Sequence, residues 1–394
     1  MTTIPLEYGI FNLLNKTLPF PVGGGLANEI ALWIIAISFL VSTIISILAY
    51  MGLAQGLQVR FLKRNIEARL RVLESYAIGA RDQAKRYLES IGAEEAEDTI
   101  NTIIDYFSIE PVTIEPTDIT KRLERVLRSE EERIEGIVRR RAAKADETQR
   151  KIAITLLAIA NALNIVYKQV RHLLLWGLKT NNPYIILQLW MQLPVIMRIA
   201  KAYYDATRCI AEHKPIGDAA GPLVAYRLMR QLRMITPPRE IAKDTLYSVH
   251  EYNGRRVIIV KAKGPGSTVG KPGEAVEKLA RIYKDTLRTI ITVDAALKFE
   301  GEDSGTIAEG AGVAMGDPGP EKIRIERVAY QLRIPLHAIV IKMSLEEAIQ
   351  TMKKEIAEGV EKAVEKVKRI IEEETKPGDT IIVVGVGNTL GVGQ

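Results

Sequence analysis

Residues 246–279 read LYSVHEYNGRRVIIVKAKGPGSTVGKPGEAVEKL. Two apolar runs flank Asn253-Gly254, a dipeptide that suits a two-residue hairpin turn because both positions tolerate positive φ. The second run passes into a glycine-rich stretch and then into a helical pattern. Strand, glycine turn and helix in that order make the repeating unit of an α/β domain. The alternation continues downstream with a helix over about 273–288, the strand TIITVDA (289–295) and a glycine-rich loop. A helix over about 319–332, the strand LHAIVIKM (336–343), a helix from Ser344 to about Glu374 and a final strand TIIVVGVG (380–387) complete it. Ser344 with Glu347 three positions on is a capping box. Pro377-Gly378 stops that helix. The pattern predicts an α/β class, with a three-layer α/β/α domain over residues 211–394 and a mostly parallel sheet covered on both faces.

Far upstream, IALWIIAISFLVSTIISILAYMGL (Ile30 to Leu53) contains no charge. At about 1.5 Å per residue it reaches across roughly 30 Å of hydrocarbon. It is read as a retained transmembrane helix over 30–54 rather than a buried core helix, because it has no polar stripe. Trp33 and Tyr50 sit near its ends, where amphipathic rings prefer the interface. Glu7, Lys16 and Glu29 are the only charges before it, whereas Arg60, Lys63, Arg64, Arg69 and Arg71 come after. By the positive-inside rule residues 1–29 are a short extracytoplasmic terminus and the long carboxyl side is cytoplasmic, so the chain is expected at the cell membrane as a single-pass protein.

Between anchor and sheet the expectation is helical. Residues 56–91 carry Leu62, Ile66, Leu70, Leu73 and Ala77 at helical spacing, and Gly92 ends the run. A second helix spans about 94–107, and Ser108 to Asp118, with Pro111 and Pro116, is an extended connector. A third helix from about Asp118 to Arg150 is densely charged, with a thin stripe that includes Leu123, Val126 and Leu127. Residues 55–150 therefore fit coiled-coil-like packing in a homo-oligomer, or solvated surface helices. Residues 151–210 are apolar and basic, and are read as buried or membrane-interface helices.

Charge is unevenly placed. Of a net +6, Lys151 to Lys263 carry 17 Lys and Arg against 6 Asp and Glu. Beside an anchor this favours anionic membrane lipid or a protein partner, and no motif supports nucleic acid. One cysteine, Cys209, excludes an internal disulfide framework. His172, His213, His250 and His337 are scattered without zinc spacing. No GxSxG elbow, HExxH or complete P-loop occurs.

Open parallel sheets bind ligands beyond the carboxyl ends of their strands. The first strand ends in a loop holding Gly264, Gly266, Ser267, Thr268, Gly270 and Lys271, followed at Gly273 by a helix whose amino-terminal N–H groups suit an anion. The loop departs from a Walker A sequence, since Pro272 follows Lys271. The second strand ends at Asp294, with Glu300, Glu302 and Asp303 close behind. Such oxygens hold a hard cation, or divide acid and base roles, or merely cap and solvate. Asp218, just before an amphipathic helix, has an N-cap role as its plain explanation. The chain ends in a glycine-rich tail with Gly387, Asn388 and Thr389, which either folds back over a site or hangs free.

Two resemblances bear on these residues. AKGPGSTVGKPGEA, DAALKFEGEDSGTIAEGAGVAMGDPGPEK and VVGVGNTLGVGQ resemble an uncharacterised archaeal membrane-protein family described only as a domain of unknown function, and this likeness implies no activity. IGDAAGPLVAYRL resembles the segment around the first acid of the hydrogenase-maturation and spore-germination protease-like fold, VDAAL its second acidic motif, and VGVGNTLG its opening strand and turn. Here the opening piece stands at the carboxyl terminus, so the likeness requires a circularly permuted order. It implies that Asp218 and Asp294 meet beside Gly387 and Asn388, as metal ligands or a carboxylate pair.

Two functions are expected from these patterns. One is a membrane-anchored cytoplasmic scaffold or oligomeric binding protein that recognises a small anionic ligand or protein partner, through Gly264 to Lys271 and Gly387 to Thr389. The other is a membrane-tethered, peptidase-like hydrolase using Asp218 and Asp294, with a divalent metal ion on Asp218, Asp294 and Glu302 as its cofactor variant.

Overall fold

The structure is a computed structural model, which describes residues 37–43, 53–104, 106, 109, 111, 118–316 and 319–394. Most of the expected anchor, with Trp33 and Tyr50, lies outside the described residues, as do the charges before it and most of the 108–118 connector, Pro116 included. Residues 37–43 are helical, with Ile37, Phe39 and Leu40 exposed. The chain forms two compact units, residues 1–64 and 65–394.

Helix α1 (Leu53–Ser90) buries Ile66, Leu73, Ala77, Ala80, Ala84 and Leu88, a stripe at helical spacing, and Gly92 turns the chain beyond its end at φ +74°. α2 (Ala96–Ile104) comes next. The single helix expected over 118–150 is two, α3 (Ile119–Arg141) and α4 (Glu147–Lys179). Asp146 and Gln149 explain the break: the Asp146 carboxylate accepts from Gln149 N–H while the Gln149 side chain accepts from Asp146 N–H, a reciprocal start signal for α4. α5 (Pro183–Ala211) returns alongside α4. Both α4 and α5 are long and apolar enough to cross a membrane by length and composition.

Beyond the 3-10 turn Gly217–Ala219 come α6 (Ala220–Gln231), β1 (Arg233–Ala242), β2 (Thr245–Tyr252), β3 (Arg255–Ala262), α7 (Pro272–Tyr283) and β4 (Leu287–Leu297). Then β5 (Ile307–Ala311), α8 (Pro320–Leu332), β6 (Leu336–Met343), α9 (Leu345–Ile349), α10 (Lys354–Glu374) and β7 (Thr380–Gly385) complete the order. The sheet runs β1-β2-β3-β7-β4-β6-β5. β3, β7, β4 and β6 are parallel, while β1, β2 and β5 add antiparallel edges, so the sheet is mixed rather than mostly parallel. The hairpin turn falls on Asn253 (φ +50°) and Gly254 (φ +76°).

Ile381 to Val384 are fully buried and feed both faces. One face packs Ile381 and Val383 against α6 and α10, and the other packs Ile382 and Val384 against α7 and α8. Each such side chain contributes about 1.5–3 kcal/mol by leaving water. The helix expected from Ser344 to Glu374 also breaks. Ser344 and Glu347 form their capping box, but α9 stops at Ile349 because the next backbone pairs elsewhere. Gly217 N–H donates to Gln350 O (3.1 Å) and Met352 N–H to Pro215 O (2.8 Å). That short antiparallel contact pins the turn that carries Asp218.

Three acids of α3 pair with the α/β domain: Glu124 with Arg324 (2.7 Å), Glu131 with Lys271 (2.8 Å) and Glu135 with Lys243 (3.0 Å).

Candidate functional site

β4 and β7 part company at the site. Val293 is the last β4 residue paired with β7, opposite Gly385, and Val386 N–H still donates to Val293 O (2.8 Å). The next β4 residue is Asp294. The β7 chain leaves the sheet through Gly387, at φ +126°. A side chain there would strike the carbonyl oxygen of Asp218, so only glycine passes the Gly217–Ala219 turn this closely. Asn388 N–H then donates to Asp218 Oδ2 (2.9 Å). The N-cap role expected for Asp218 is not what its side chain does: it caps neither the 3-10 turn nor α6, and faces the returning tail instead.

Asp294 is held from two sides. Its Oδ1 accepts from Ala295 N–H (2.7 Å) and its Oδ2 from Gly316 N–H (3.1 Å). The segment bringing Gly316 is itself tied down where Ala314 N–H donates to Thr292 Oγ1 (2.7 Å). Asp218 and Asp294 line one cleft of about 450 Å³, with Leu127 and Glu131 from α3, Val269 to Pro272, Met315, and Pro320 and Glu321 at the start of α8. Burial pushes the Asp294 carboxyl well above the usual carboxylate range, and the negative Asp218 beside it pushes the same way. The Ala295 and Gly316 N–H groups offset this only in part. Burial also raises Asp218, against the pull of Asn388 N–H. Glu321 is raised by burial too, but its carboxylate is engaged, accepting from Glu274 N–H (3.0 Å) at the start of α7. Of two desolvated carboxyls in one cleft, the more strongly raised can act as acid while the other acts as base.

The glycine loop is divided. Its first half is strapped by the tail: the Thr389 hydroxyl donates to Gly266 O (2.8 Å), Thr389 N–H to Thr268 O (3.0 Å) and Gly391 N–H to Pro265 O (3.0 Å). Gln394 Nε2 reaches Gly264 O (2.6 Å), and Asn388 Nδ2 reaches Ser267 Oγ (2.9 Å). The tail is therefore ordered, with Thr389, Leu390 and Val392 buried. Gly264, Gly266, Ser267 and Thr268 are committed to it; only Val269, Gly270, Lys271 and Pro272 face the cleft. Glu302 is not brought to the aspartates. Its carboxylate pairs with Lys342 and accepts from Phe299 N–H (2.8 Å).

Among the described residues no three His, Cys, Asp or Glu side chains gather as a metal-ligand set. Glu302, expected as the third ligand beside Asp218 and Asp294, is instead bound to Lys342 and Phe299 N–H and does not line the cleft. Met315, Gly316, Glu321, Leu127 and Glu131 are not singled out by sequence as site residues. The first three lie within MGDPGPEK, whose glycines and prolines mark a turn, whereas nothing local in α3 signals a role in the cleft.

Two family models match the chain, one described as the DUF1512 N-terminal domain of a protein of unknown function over residues 40–213, the other as the C-terminal DUF1512 domain of unknown function over residues 216–393. The chain belongs to the DUF1512 family. The boundary between the two DUF1512 models falls at the turn before Gly217, and every aspartate and glycine of the cleft lies in the C-terminal one. A comparison with curated proteins gives no match. Among solved structures, the DUF1512 chain is similar to a proteasome-assembly chaperone homologue of Mycobacterium tuberculosis at 14% identity. That overlay covers 41% of this chain and 83% of the other with a TM-score of 0.29, too low to inform function.

Proposed function

We propose that the cleft is the centre of a hydrolase of peptidase-like type that works with a carboxyl pair. The observation that carries this is the meeting of Asp218 and Asp294 in one cleft beyond the strand ends, each desolvated and Asp294 further raised by its neighbour. Asp294, the more strongly raised, stays protonated and donates to the carbonyl oxygen of a bound amide. Asp218 takes a proton from a water that attacks the carbonyl carbon. Asp294, now ionised, can recover that proton once the leaving nitrogen has been protonated by Asp218. Each step moves a proton between the two carboxyls and the substrate, which is the task of a pair sharing one charge.

The lining sets the substrate class. Among the described residues, Glu124, Glu131, Asp218, Asp294 and Glu321 line the cleft with one basic residue, Lys271, which is paired with Glu131. With Glu131 neutralised by Lys271, Glu124 by Arg324 and Asp294 held protonated, the lining suits a neutral amide. The binding-protein reading keeps support from the half-loop Val269 to Pro272.

The site works, in this reading, on the cytoplasmic face of a cell membrane, tethered by Ile30 to Leu53. The support is the uncharged length of that segment and the cluster of arginines after it. Extraction of membranes with alkaline carbonate tests the tether. Cleavage of a random fluorogenic peptide mixture tests the chemistry: the wild type cleaves it, and Asp218→Asn and Asp294→Asn each abolish cleavage while keeping the wild-type circular dichroism. Undiminished cleavage by both folded variants overturns the assignment.

A further inference from the structure

We infer that the tip of the α4–α5 hairpin is a second membrane contact, an interfacial foot that rests on anionic lipid headgroups. The inference rests on the tethering reading and deepens it. Three contacts give the direction of the helices in the unit over residues 65–394. Arg69 lies over the Trp190 ring at 4.8 Å, Tyr167 donates to Glu74 (2.7 Å), and Tyr76 stacks on Tyr204 with centroids 5.1 Å apart. Position numbers rise together along α1 and α5, and in opposite senses along α1 and α4. The hairpin turn at 180–182 therefore lies toward the amino-terminal side of Arg69.

The chemistry of the tip matches a bilayer surface. Leu175, Trp176, Tyr184, Leu187 and Met191 are exposed there, Tyr184 by 77% and Met191 by 70%. Rings with a polar edge and an apolar body prefer the headgroup layer. No Asp or Glu occurs between Glu147 and Asp205, while Arg171 and Lys179 stand exposed beside the aromatic residues. A hairpin segment without acids of its own that carries basic and apolar groups is complementary to anionic lipid, at about 1 kcal/mol per basic group near the surface. Charge complementarity selects the bilayer over a soluble partner.

The foot rests on the surface and does not span. The first half of α4 is spent inside the protein, with Ile152, Leu156, Leu157, Ala160 and Leu163 buried and Lys151 ion-paired to Asp244 and Glu147. Only about 15 residues remain from Ile165 to the turn, about 22 Å of helix, short of the ~30 Å of hydrocarbon that a span must cross.

The test uses the full chain reconstituted in vesicles of phosphatidylcholine and phosphatidylglycerol. Trp33→Phe and Trp190→Phe leave Trp176 as the sole tryptophan, and the variant must keep the wild-type melting curve. A nitroxide on the headgroup or high on the acyl chain is expected to quench Trp176 strongly, and one at the bilayer centre is not. Trp176 left unquenched in carbonate-resistant vesicles overturns the foot while leaving the tether standing. Quenching from the bilayer centre overturns it in favour of a spanning hairpin. If carbonate releases the chain, the tether fails, and sedimentation of the released chain decides the foot. Binding to phosphatidylglycerol vesicles that Trp176→Ala with Tyr184→Ala abolishes supports it, and no binding overturns it.

Discussion

Asn388 N–H donates to the Asp218 carboxylate over 2.9 Å, joining residues 170 positions apart at the point where the chain's last strand meets the turn before α6. This bond places the VGVGNTLG segment directly ahead of IGDAAGPLVAYRL in space, although it comes after it by most of the domain in sequence. Gly387 makes the contact possible, and Thr389 locks the tail beyond it.

Gly387→Ala should accordingly be costly. The added methyl meets the Asp218 carbonyl at a φ of +126°, where side chains are strained whatever the space. A loss of at least about 2 kcal/mol is expected from strain and overlap together. Urea unfolding of the purified chain would show it as a lower midpoint at unchanged slope. A variant as stable as wild type would mean that the tail does not sit against Asp218.

The carboxyl pair should make the protein less stable as pH rises. Asp294 and Asp218 are raised in the folded state, so that state keeps protons that the unfolded chain gives up above about pH 4. Stability from these groups is complete below the unfolded carboxylate range and is lost as pH climbs through the raised native titrations. Asp294→Asn removes the desolvated charge and should melt higher than wild type at pH 8, with the gap closing toward pH 4. A gap that widens toward acid would contradict the raised titration.

Much of this site is visible in residue patterns, and the remainder is hidden for physical reasons. The Asn253-Gly254 hairpin and the strand 336–343 are local signals and stand where periodicity puts them. β1 is masked because Pro237 and Pro238 break its apolar alternation on a sheet edge. β5 is masked because it is five residues long and Ile307 is its only bulky apolar side chain, too little to register a period. The strapping of the glycine loop by Thr389 depends on bonds between residues more than 120 apart, which no local pattern encodes. The meeting of the two aspartates in one cleft is set by contacts between residues far apart in the chain, and neither segment alone points to the other.

Lys261 offers a contrasting probe of burial on the same sheet. It is fully buried in β3, its ammonium donates to Ala262 O (3.1 Å), and burial lowers it to about 8. The unfolded lysine holds its proton to higher pH, so the folded state carries a penalty at neutral pH that fades as pH rises from about 8 toward the free-lysine range. A tenfold change in proton affinity corresponds to about 1.4 kcal/mol. Lys261→Met should therefore gain on the order of 2 kcal/mol at pH 7, with the advantage shrinking by pH 10. Denaturant titrations at the two pH values measure it, and an equal or larger advantage at pH 10 would show that desolvation of the charge is not the cause.

Glu347 should behave in the opposite sense, and it tests the strap that holds the Asp218 turn. Burial alone would raise its carboxyl, but Lys353 (2.8 Å), Ser344 N–H (2.8 Å) and the Ser304 hydroxyl (2.7 Å) overcome that and hold it down to about 2. Its stabilisation is present above the unfolded glutamate range and is lost as pH falls toward 2. Lys353 is half exposed, so solvent screening trims the ion-pair share. Glu347→Gln should cost about 1–2 kcal/mol at pH 7 and close to nothing at about pH 2, read from urea midpoints. Because α9 ends in the backbone contact to Pro215 and Gly217, the same variant should also loosen the turn at Asp218. Faster amide exchange at Gly217 in the variant would report that coupling, and unchanged exchange there with the stability lost would show that α9 and the turn open independently.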